Sequence, residues 1–119
     1  LGTEAGRVST GYFLSLDADE DLQDIYTYTD DVWGARQAKL YLDGLFEVFE
    51  HLGRQPGIGR SRRELSEALR SFPHGSHVVF FMQWQGEVAI VRVLHGSMDF
   101  KSVFADYNPL PGIEGGRSS

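Results

Sequence analysis

The chain has 119 residues, 41% of them hydrophobic, and a formal net charge of −6. This length provides one hydrophobic core, so a single globular domain is expected. The chain has no cysteine, which excludes disulfide frameworks, cysteine-based zinc sites and thiol nucleophiles. No apolar run approaches the roughly 20 residues that span a bilayer, and no signal peptide is visible, so a cytoplasmic location without a membrane partner is expected.

The first predicted elements are a strand and the start of a helix. Tyr12, Leu14 and Leu16 follow the period of two that is typical of a half-buried strand, so a first strand is predicted to end at about Leu16. Asp17 stands three residues before Glu20. This spacing indicates a helix start, because a carboxylate there accepts a backbone N–H and favours the positive end of the helix.

Two amphipathic helices are predicted to form an antiparallel hairpin. The first ends near Gly34, since glycine can adopt the left-handed conformation that closes a helix. The apolar face of the first helix comprises Ala18, Leu22, Ile25 and Val32. That of the second comprises Ala35, Ala38, Leu42, Leu45, Phe49 and Leu52, with Tyr41 and Val48 beside it. Because one or two residues separate the helices, they must pack as antiparallel neighbours.

The charge changes sign after the hairpin. Residues 17–50 hold ten acids and two basic residues, a net charge of −8, whereas residues 54–70 hold five arginines and two acids, a net charge of +3. The acidic part is expected to be solvated surface. In the connector the stretch GRSRREL places Arg60, Arg62 and Arg63 within four residues, where a loop can present their charge to a partner.

Three antiparallel strands are predicted after the connector. The stretch RSFPHGSHVVFF contains a Pro-x-Gly turn between two strands. Residues 78–84 are almost continuously apolar, which is typical of a central strand covered on both faces. Gln85-Gly86 is a two-residue link to a further buried strand. The predicted fold class is therefore α+β: an N-terminal strand, an antiparallel helical hairpin and a three-stranded antiparallel meander that form one sheet.

The histidines beside the Pro-x-Gly turn favour a structural role. His74 is expected in the turn with its ring toward water, and His77 at the start of the next strand. A metal would need a third ligand, and no cysteine or nearby acid supplies one. Ser76 and His77 are unsuited to a hydrolytic pair, because adjacent strand residues point to opposite faces. No metal and no cofactor are expected.

Several phrases of the sequence are similar to one bacterial family. They are LDADEDLQDIYTYTDDVWGARQAKLYLDGL, PGIGRSRREL, LRSFPHGSHVVFF and IVRVLHGSMD. Together they resemble the ParE toxins of the RelE/ParE superfamily, over residues 11–106. The resemblance implies the toxin of a type II toxin-antitoxin system, of a kind associated with plasmid stabilisation. It also implies that a ParD-like antitoxin neutralises the toxin and that the target is DNA gyrase.

The resemblance assigns some arginines to family positions. Arg60 matches the arginine of the family's G-R connector, Arg70 the one that enters the second strand, and Arg92 the one in the last strand. His95-Gly96 matches the end of the L-H-G motif, but Ser97 stands where members often carry arginine. The expected target-binding residues are Arg60, Arg62, Arg63, Arg70 and Arg92.

Alternatives remain open at this point. A RelE-like ribosome-dependent mRNA endoribonuclease of the same fold needs a base, cationic donors and an acid, for which the candidates are Arg70, Arg92, His95 and Tyr107. The net charge and the presence of only two lysines disfavour direct nucleic-acid binding, so a non-enzymatic toxin is preferred. An antitoxin-binding module with another target is a third alternative.

The aromatic surplus predicts a surface for the antitoxin. The aromatic residues of the hairpin and sheet exceed what one small core needs, so the expected antitoxin-binding residues are Tyr26, Tyr41, Phe80 and Trp84. The toxin domain is expected to span residues 11–106. Residues 1–10 and 107–119 are expected to be a flexible or expression-derived leader and tail.

Overall fold

The computed structural model describes residues 11–116. Its helices and strands, in chain order, are β1 (Tyr12–Leu14), α1 (Leu16–Trp33), α2 (Ala35–Arg54), β2 (Arg60–Ser61), β3 (Arg70–His74), β4 (His77–Trp84), β5 (Glu87–His95), α3 (Phe100–Phe104) and α4 (Leu110–Gly116). A short 3₁₀ helix, Pro56–Ile58, lies between α2 and β2. None of the helices in this part of the chain is long and apolar enough to cross a membrane.

The strands form one five-stranded sheet in the order β1-β5-β4-β3-β2. β3, β4 and β5 are the predicted antiparallel meander, and the α+β class with its helical hairpin is confirmed. β1 pairs parallel to β5, with Tyr12 opposite Val88, and β2 pairs antiparallel to β3. The link between β4 and β5 has positive φ at both residues, Gln85 and Gly86, as the tight turn of a two-residue hairpin requires.

Helix α1 begins two residues earlier than predicted, because Ser15 and not Asp17 caps it. The Ser15 hydroxyl oxygen accepts a hydrogen bond from the Ala18 N–H at 3.0 Å. The same hydroxyl donates to the Val91 carbonyl at 2.9 Å, and the side chain is fully buried. One serine therefore ends β1, starts α1 and fixes both to β5.

The hairpin packs on one face of the sheet and forms the first hydrophobic core. Its buried members are Ala18, Leu22, Ile25, Leu42, Leu45, Phe49, Leu52, Val79, Phe81, Val88, Ile90 and Val93. The predicted helix faces are confirmed except at Val32 and Ala35, which are exposed. Both lie at the tip of the hairpin, where residues 30–37 are exposed throughout and no described part of the sheet covers them.

The C-terminal segment covers the other face of the sheet. This second core comprises Leu69, Phe80, Ala89, Val91, Leu94, Phe104 and Ile113. Ile113 of α4 is fully buried, and the Tyr107 ring packs against the Phe104 ring at 5.5 Å between centroids. The expectation of a flexible tail from residue 107 is therefore wrong for residues 107–116, because their apolar side chains cover the second face. Residues 1–10 and 117–119 lie outside the described residues.

Candidate partner-binding surfaces

An open groove of about 640 Å³ lies between the helical hairpin and one end of the sheet. Its lining comes from α1, α2, the turn between β3 and β4, and the adjoining strand ends: Asp24, Ile25, Tyr28, Thr29, Trp33, Gln37, Tyr41, Ser76, His77 and His95. Helices and sheet therefore build the groove jointly.

Two large aromatic side chains on the α1 wall of this groove are exposed to solvent. Trp33 is 69% exposed and Tyr28 is 66% exposed. Exposed apolar surface of this kind, beside a polar rim, is typical of a protein interaction site. Neither residue was predicted as a site residue. The available signal was helical spacing: both continue the buried face of Ile25, three and eight residues further along α1.

Tyr41 joins the hairpin to the β3–β4 turn. Its hydroxyl lies 2.6 Å from His77 Nδ1 and 3.2 Å from the His74 carbonyl oxygen, and its oxygen accepts a hydrogen bond from the Ser76 N–H at 3.1 Å. Gly75 has φ +56°, and a Cβ there would lie 2.7 Å from the Tyr41 hydroxyl, so this turn requires glycine. Burial raises the pKa of Tyr41.

Three histidine rings form a row at one end of the sheet, with the Tyr41 ring between those of His74 and His77. The His74 and His77 rings lie 5.6 and 5.5 Å from the Tyr41 ring, and the His95 ring lies 5.4 Å from His77. The expectation that His74 points to water is wrong, because its ring is partly buried against Tyr41 and would contact a Cβ at Gly44. His77 begins β4, as predicted.

His77 is held in a half-buried position within the row, and this affects its protonation. Burial lowers the pKa of His77, and the positive charges that His95 and His74 can carry lower it further, while Asp21 opposes them. His95 is exposed, and its Nδ1 accepts from the Ser97 N–H at 3.1 Å and lies 2.8 Å from the Ser97 hydroxyl. Ser97 thus orients this ring.

The three connector arginines do not share one environment. Arg60 in β2 and Arg63 in the following turn are exposed. Arg62 is only 13% exposed, bonds to Glu64 and Ser71, and lies 5.6 and 5.5 Å from the ring centroids of Phe80 and Phe100. The expectation that a loop presents Arg62 freely is therefore wrong: α3 covers it.

Arg70 at the start of β3 supports the connector. Its Nη2 donates to the Gly59 carbonyl oxygen at 2.8 Å and to that of Gly57 at 3.4 Å. Its Nε is buried without a hydrogen-bond partner. The guanidinium therefore fixes the 3₁₀ turn that leads into β2.

Arg92 forms an ion pair with Asp21 of α1. Its Nε and Nη2 donate to the two Asp21 carboxylate oxygens at 2.8 and 2.9 Å, and the Val93 N–H donates to the same carboxylate at 2.9 Å. Their side chains are 22% and 12% exposed. The hydrogen bonds that Arg92 donates to Asp21 raise the pKa of Arg92. Asp21 thus accepts the hydrogen bond of the Val93 N–H, which lies on β5 beyond the residues that pair with β1.

Tyr107 joins the C-terminal segment to the start of α1. Its hydroxyl donates to Asp17 at 2.6 Å, and its ring centroid lies 5.9 Å from the Arg92 guanidinium carbon. Burial and the bonded Asp17 carboxylate raise the pKa of Tyr107. Asp17 therefore anchors this segment and does not cap α1.

The four residues considered for a ribonuclease are each engaged with the protein. Arg92 pairs with Asp21, and its neighbour Tyr107 with Asp17. Arg70 holds the connector, and His95 lies in the groove and bonds to Ser97. Arg92 and Tyr107 are close neighbours. Among residues 11–116, no three histidine or acidic side chains are placed to hold a metal ion.

The four residues expected to bind an antitoxin also differ in exposure. Tyr41 lines the groove, and Tyr26 is exposed on α1 outside it. Trp84 is partly buried and packs against the second core. Phe80 is fully buried, with the Phe100 and Phe104 rings against it, so it offers no surface while α3 is in place.

Comparison with known proteins matches most of the chain. The family model described as "ParE toxin of type II toxin-antitoxin system, parDE" matches residues 12–100. Toxin ParE1 of Caulobacter vibrioides is 40% identical over 91 residues, which cover 76% of this chain and 94% of that protein. Toxin ParE1 of Mycobacterium tuberculosis is 37% identical over 93 residues, which cover 77% of this chain and 95% of that protein. Toxin ParE of Escherichia coli is 36% identical over 98 residues, which cover 82% of this chain and 95% of that protein.

A solved structure shares the fold. It is described as the chromosomal ParDE TA system from P. aeruginosa, and it aligns with a TM-score of 0.64 over 74% of this chain and 97% of that chain. At 18% identity this likeness concerns the fold alone. The family match, by contrast, runs from β1 through the hairpin, the connector and the meander to the start of α3. The chain therefore belongs to the ParE toxin family of type II toxin-antitoxin systems.

Proposed function

We propose that this toxin acts in the bacterial cytoplasm by binding DNA gyrase, without chemistry of its own, and that a ParD-like antitoxin neutralises it. The observation that carries this proposal is the match of residues 12–100 to the ParE toxin family. The relatives named ParE or ParE1 are matched over 94–95% of their own length, so the match includes nearly the whole of each relative.

The engaged state of the nuclease candidates supports a non-enzymatic mechanism. A metal-independent ribonuclease must activate a 2′-hydroxyl, stabilise a phosphorane and protonate a leaving group. Asp21 neutralises the Arg92 guanidinium, and the raised pKa of Tyr107 makes its hydroxyl a poor proton donor and a poor base near neutral pH. Neither residue is free to perform such a step.

The groove is the surface proposed for the antitoxin. Tyr28 and Trp33 on its wall would lose most of their exposed apolar surface beneath a docked segment, and such aromatic rings typically dominate binding energy. Asp24 lines the same groove within the acidic half of the chain. The occupant that fits is an amphipathic antitoxin segment, with apolar side chains toward the rings and a basic residue opposite Asp24.

The exposed connector arginines are the surface proposed for the target. Arg60, in the edge strand β2, and Arg63, in the turn that follows, are both exposed. The other three predicted target-binding arginines are engaged within the fold: Arg62 with Ser71, Arg70 with the Gly59 carbonyl and Arg92 with Asp21. Charge at Arg60 and Arg63 would therefore govern the encounter with the target.

Co-expression with the gene adjacent in the operon tests the antitoxin half of the proposal. The wild-type chain should co-purify with the neighbouring product. Tyr28→Ala with Trp33→Ala should weaken the complex about 30-fold or more, the effect of losing one strong anchor residue. Leu40→Ala is the matched control, since Leu40 is an exposed apolar residue of α2 that does not line the groove. Equal binding by the double variant and the control would refute this surface.

Growth inhibition tests the target half. Arg60→Glu with Arg63→Glu should weaken toxicity, whereas His95→Gln, which cannot titrate, should leave toxicity largely intact because no proton transfer is required. Arg36→Glu, at an exposed position of α2, is the control for the change in charge. If His95→Gln abolishes toxicity in a folded protein while the double reversal has no effect, the gyrase proposal fails and the nuclease alternative replaces it.

A further inference from the structure

The floor of the groove holds an arrangement of titratable groups that partner binding alone does not require. His77 is half-buried between Tyr41 and His95, and its ring lies within 5.5 Å of both rings. His95 is exposed at the open side, and His74 completes the row behind Tyr41. Three of the four histidines of the chain are therefore grouped at one end of the sheet.

The groups that face His77 come from every element packed around it. α2 contributes Tyr41, β3 contributes His74, and β5 contributes His95. α1 contributes Tyr28 and Asp24 on the groove wall and Asp21 behind them.

The acids of α1 provide limited compensation for positive charge in the row. Asp21 already accepts three hydrogen bonds, two from Arg92 and one from Val93. Asp24 is the one acid that lines the groove within residues 11–116. A basic residue on the docked segment would occupy Asp24, so protonated imidazoles in the complex would lack a free counter-charge.

We propose that the histidine row makes antitoxin docking in this groove dependent on pH, so that the complex is tight when the rings are neutral and weakens as they gain protons. This inference rests on the proposed function, which places the antitoxin in the groove. A docked segment would remove water from His95 and from the remaining exposed part of His77. Removal of water penalises the charged form of an imidazole, and two charged rings 5.4 Å apart repel each other.

The direction of the pH effect on docking follows from proton linkage. If docking lowers the affinity of the rings for protons, the free toxin binds more protons than the complex does. Lowering the pH through the range in which histidine titrates therefore favours the free toxin. The lowered pKa of His77 in the unbound chain has the same physical origin, since burial is its largest cause.

The hydrogen bonds around Tyr41 allow protonation without releasing the hairpin. When His77 is neutral with Nδ1 as the acceptor, the Tyr41 hydroxyl donates to it across 2.6 Å. When Nδ1 carries a proton, the same contact reverses direction, and the Tyr41 hydroxyl donates instead to the His74 carbonyl oxygen at 3.2 Å. The contacts of the Tyr41 hydroxyl with His77 and with the Ser76 N–H each keep a donor and an acceptor in both states, so the charge acts on docking more than on the fold.

Affinity measured at two pH values tests this inference. The probe is the purified antitoxin encoded by the adjacent gene, titrated into the full-length toxin by calorimetry at about pH 7.5 and about pH 5.5, on either side of the usual histidine pKa. The dissociation constant of the wild type should rise about tenfold or more at the lower pH, because one pKa unit of proton linkage corresponds to a tenfold change in affinity.

Substitutions separate the row from other titrating groups. His77→Gln with His95→Gln should remove most of the pH dependence, and His95→Gln alone, at an exposed position, should remove part of it even if the double variant folds poorly. His51→Gln is the matched control, because His51 is exposed in the last turn of α2 and does not line the groove. It should retain the full pH dependence.

The outcomes distinguish the two proposals. A wild-type dissociation constant that changes less than about twofold between the two pH values overturns the histidine inference and leaves the antitoxin proposal intact. Undiminished pH dependence in His95→Gln and in the double variant also overturns it, since the antitoxin would then supply the titrating group. Absence of binding at both pH values overturns the proposed function itself.

Discussion

Removing the Asp21 carboxylate should destabilise the toxin strongly, although Asp21 lies in the acidic helix that the sequence marks as surface. In Asp21→Ala, Arg92 loses both of its side-chain acceptors and the Val93 N–H loses its partner. The guanidinium would keep the Tyr107 ring, at 5.9 Å, and the more distant Asp17 carboxylate. The variant therefore leaves a mostly buried charge without its hydrogen-bonded counter-charge.

The magnitude follows from the burial of the pair. Removing one partner of a fully buried ion pair typically costs about 3–5 kcal/mol, and a single hydrogen bond to a charged group contributes about 1.5–3 kcal/mol. Because the Asp21 and Arg92 side chains are 12% and 22% exposed, water can partly replace the lost partner. We therefore expect Asp21→Ala to lower the free energy of unfolding by about 2–4 kcal/mol.

Urea denaturation followed by circular dichroism measures this loss. With a slope of about 2 kcal/mol per molar urea, the midpoint should fall by about 1–2 M. Glu20→Ala is the matched control, since it removes a neighbouring, exposed carboxylate of the same helix and should change stability by less than about 0.5 kcal/mol. Adding Arg92→Met to Asp21→Ala should recover part of the loss, because no unpaired guanidinium remains. Equal midpoints for Asp21→Ala and Glu20→Ala would refute the reasoning.

Three further predictions concern the core, the connector and pH. Leu45→Ala should cost about 2–5 kcal/mol in unfolding free energy, because Leu45 is fully buried on α2, whereas exposed Leu40→Ala should cost less than about 0.5 kcal/mol; similar urea midpoints would show that the helix face is misplaced. Arg62→Ala should lower the free energy of unfolding by about 1–2 kcal/mol, because it loses contacts with Ser71, Phe80 and Phe100. Arg63→Ala, at an exposed position, should lower it much less. An Arg62→Ala variant as stable as the wild type would contradict the covered position of Arg62. The folded-state pKa of His77 lies below its unfolded value, so the contribution of His77 to stability is fully present above about pH 6.5 and is lost as the pH falls below that value. The urea midpoint of His77→Gln should therefore change less between about pH 7.5 and pH 5 than that of the wild type. An equal change in the two proteins would contradict this.

Periodicity predicted the elements that are amphipathic or continuously apolar. Leu42, Leu45, Phe49 and Leu52 repeat at helical spacing and are buried, and the apolar run of β4 is a central strand covered on both faces. A strand covered on both faces requires a second covering layer, but no segment was predicted from the sequence to supply that layer. The segment that supplies it, with Phe104 and Ile113, is short and interrupted by proline and glycine, so its period is weak.

Long-range contacts explain why the site was only partly predicted. Arg62 looks like loop charge in the sequence, but its exposure depends on Phe100, which is 38 positions further along the chain. Asp21 looks like one surface acid among many, and only the fold brings it to Arg92, 71 positions away. The L-H-G and P-H-G-S-H motifs marked the histidines, yet the groove they share with Tyr28 and Trp33 forms only when the hairpin packs on the sheet.

The most direct test of the account applies one purified, folded sample of the toxin to two assays, gyrase supercoiling and ribosome-dependent mRNA cleavage, each with and without the antitoxin. A toxin that binds gyrase should inhibit supercoiling, leave mRNA intact and lose its effect when the antitoxin is added. Cleavage of mRNA with supercoiling unaffected would contradict the account and identify the chain as a nuclease.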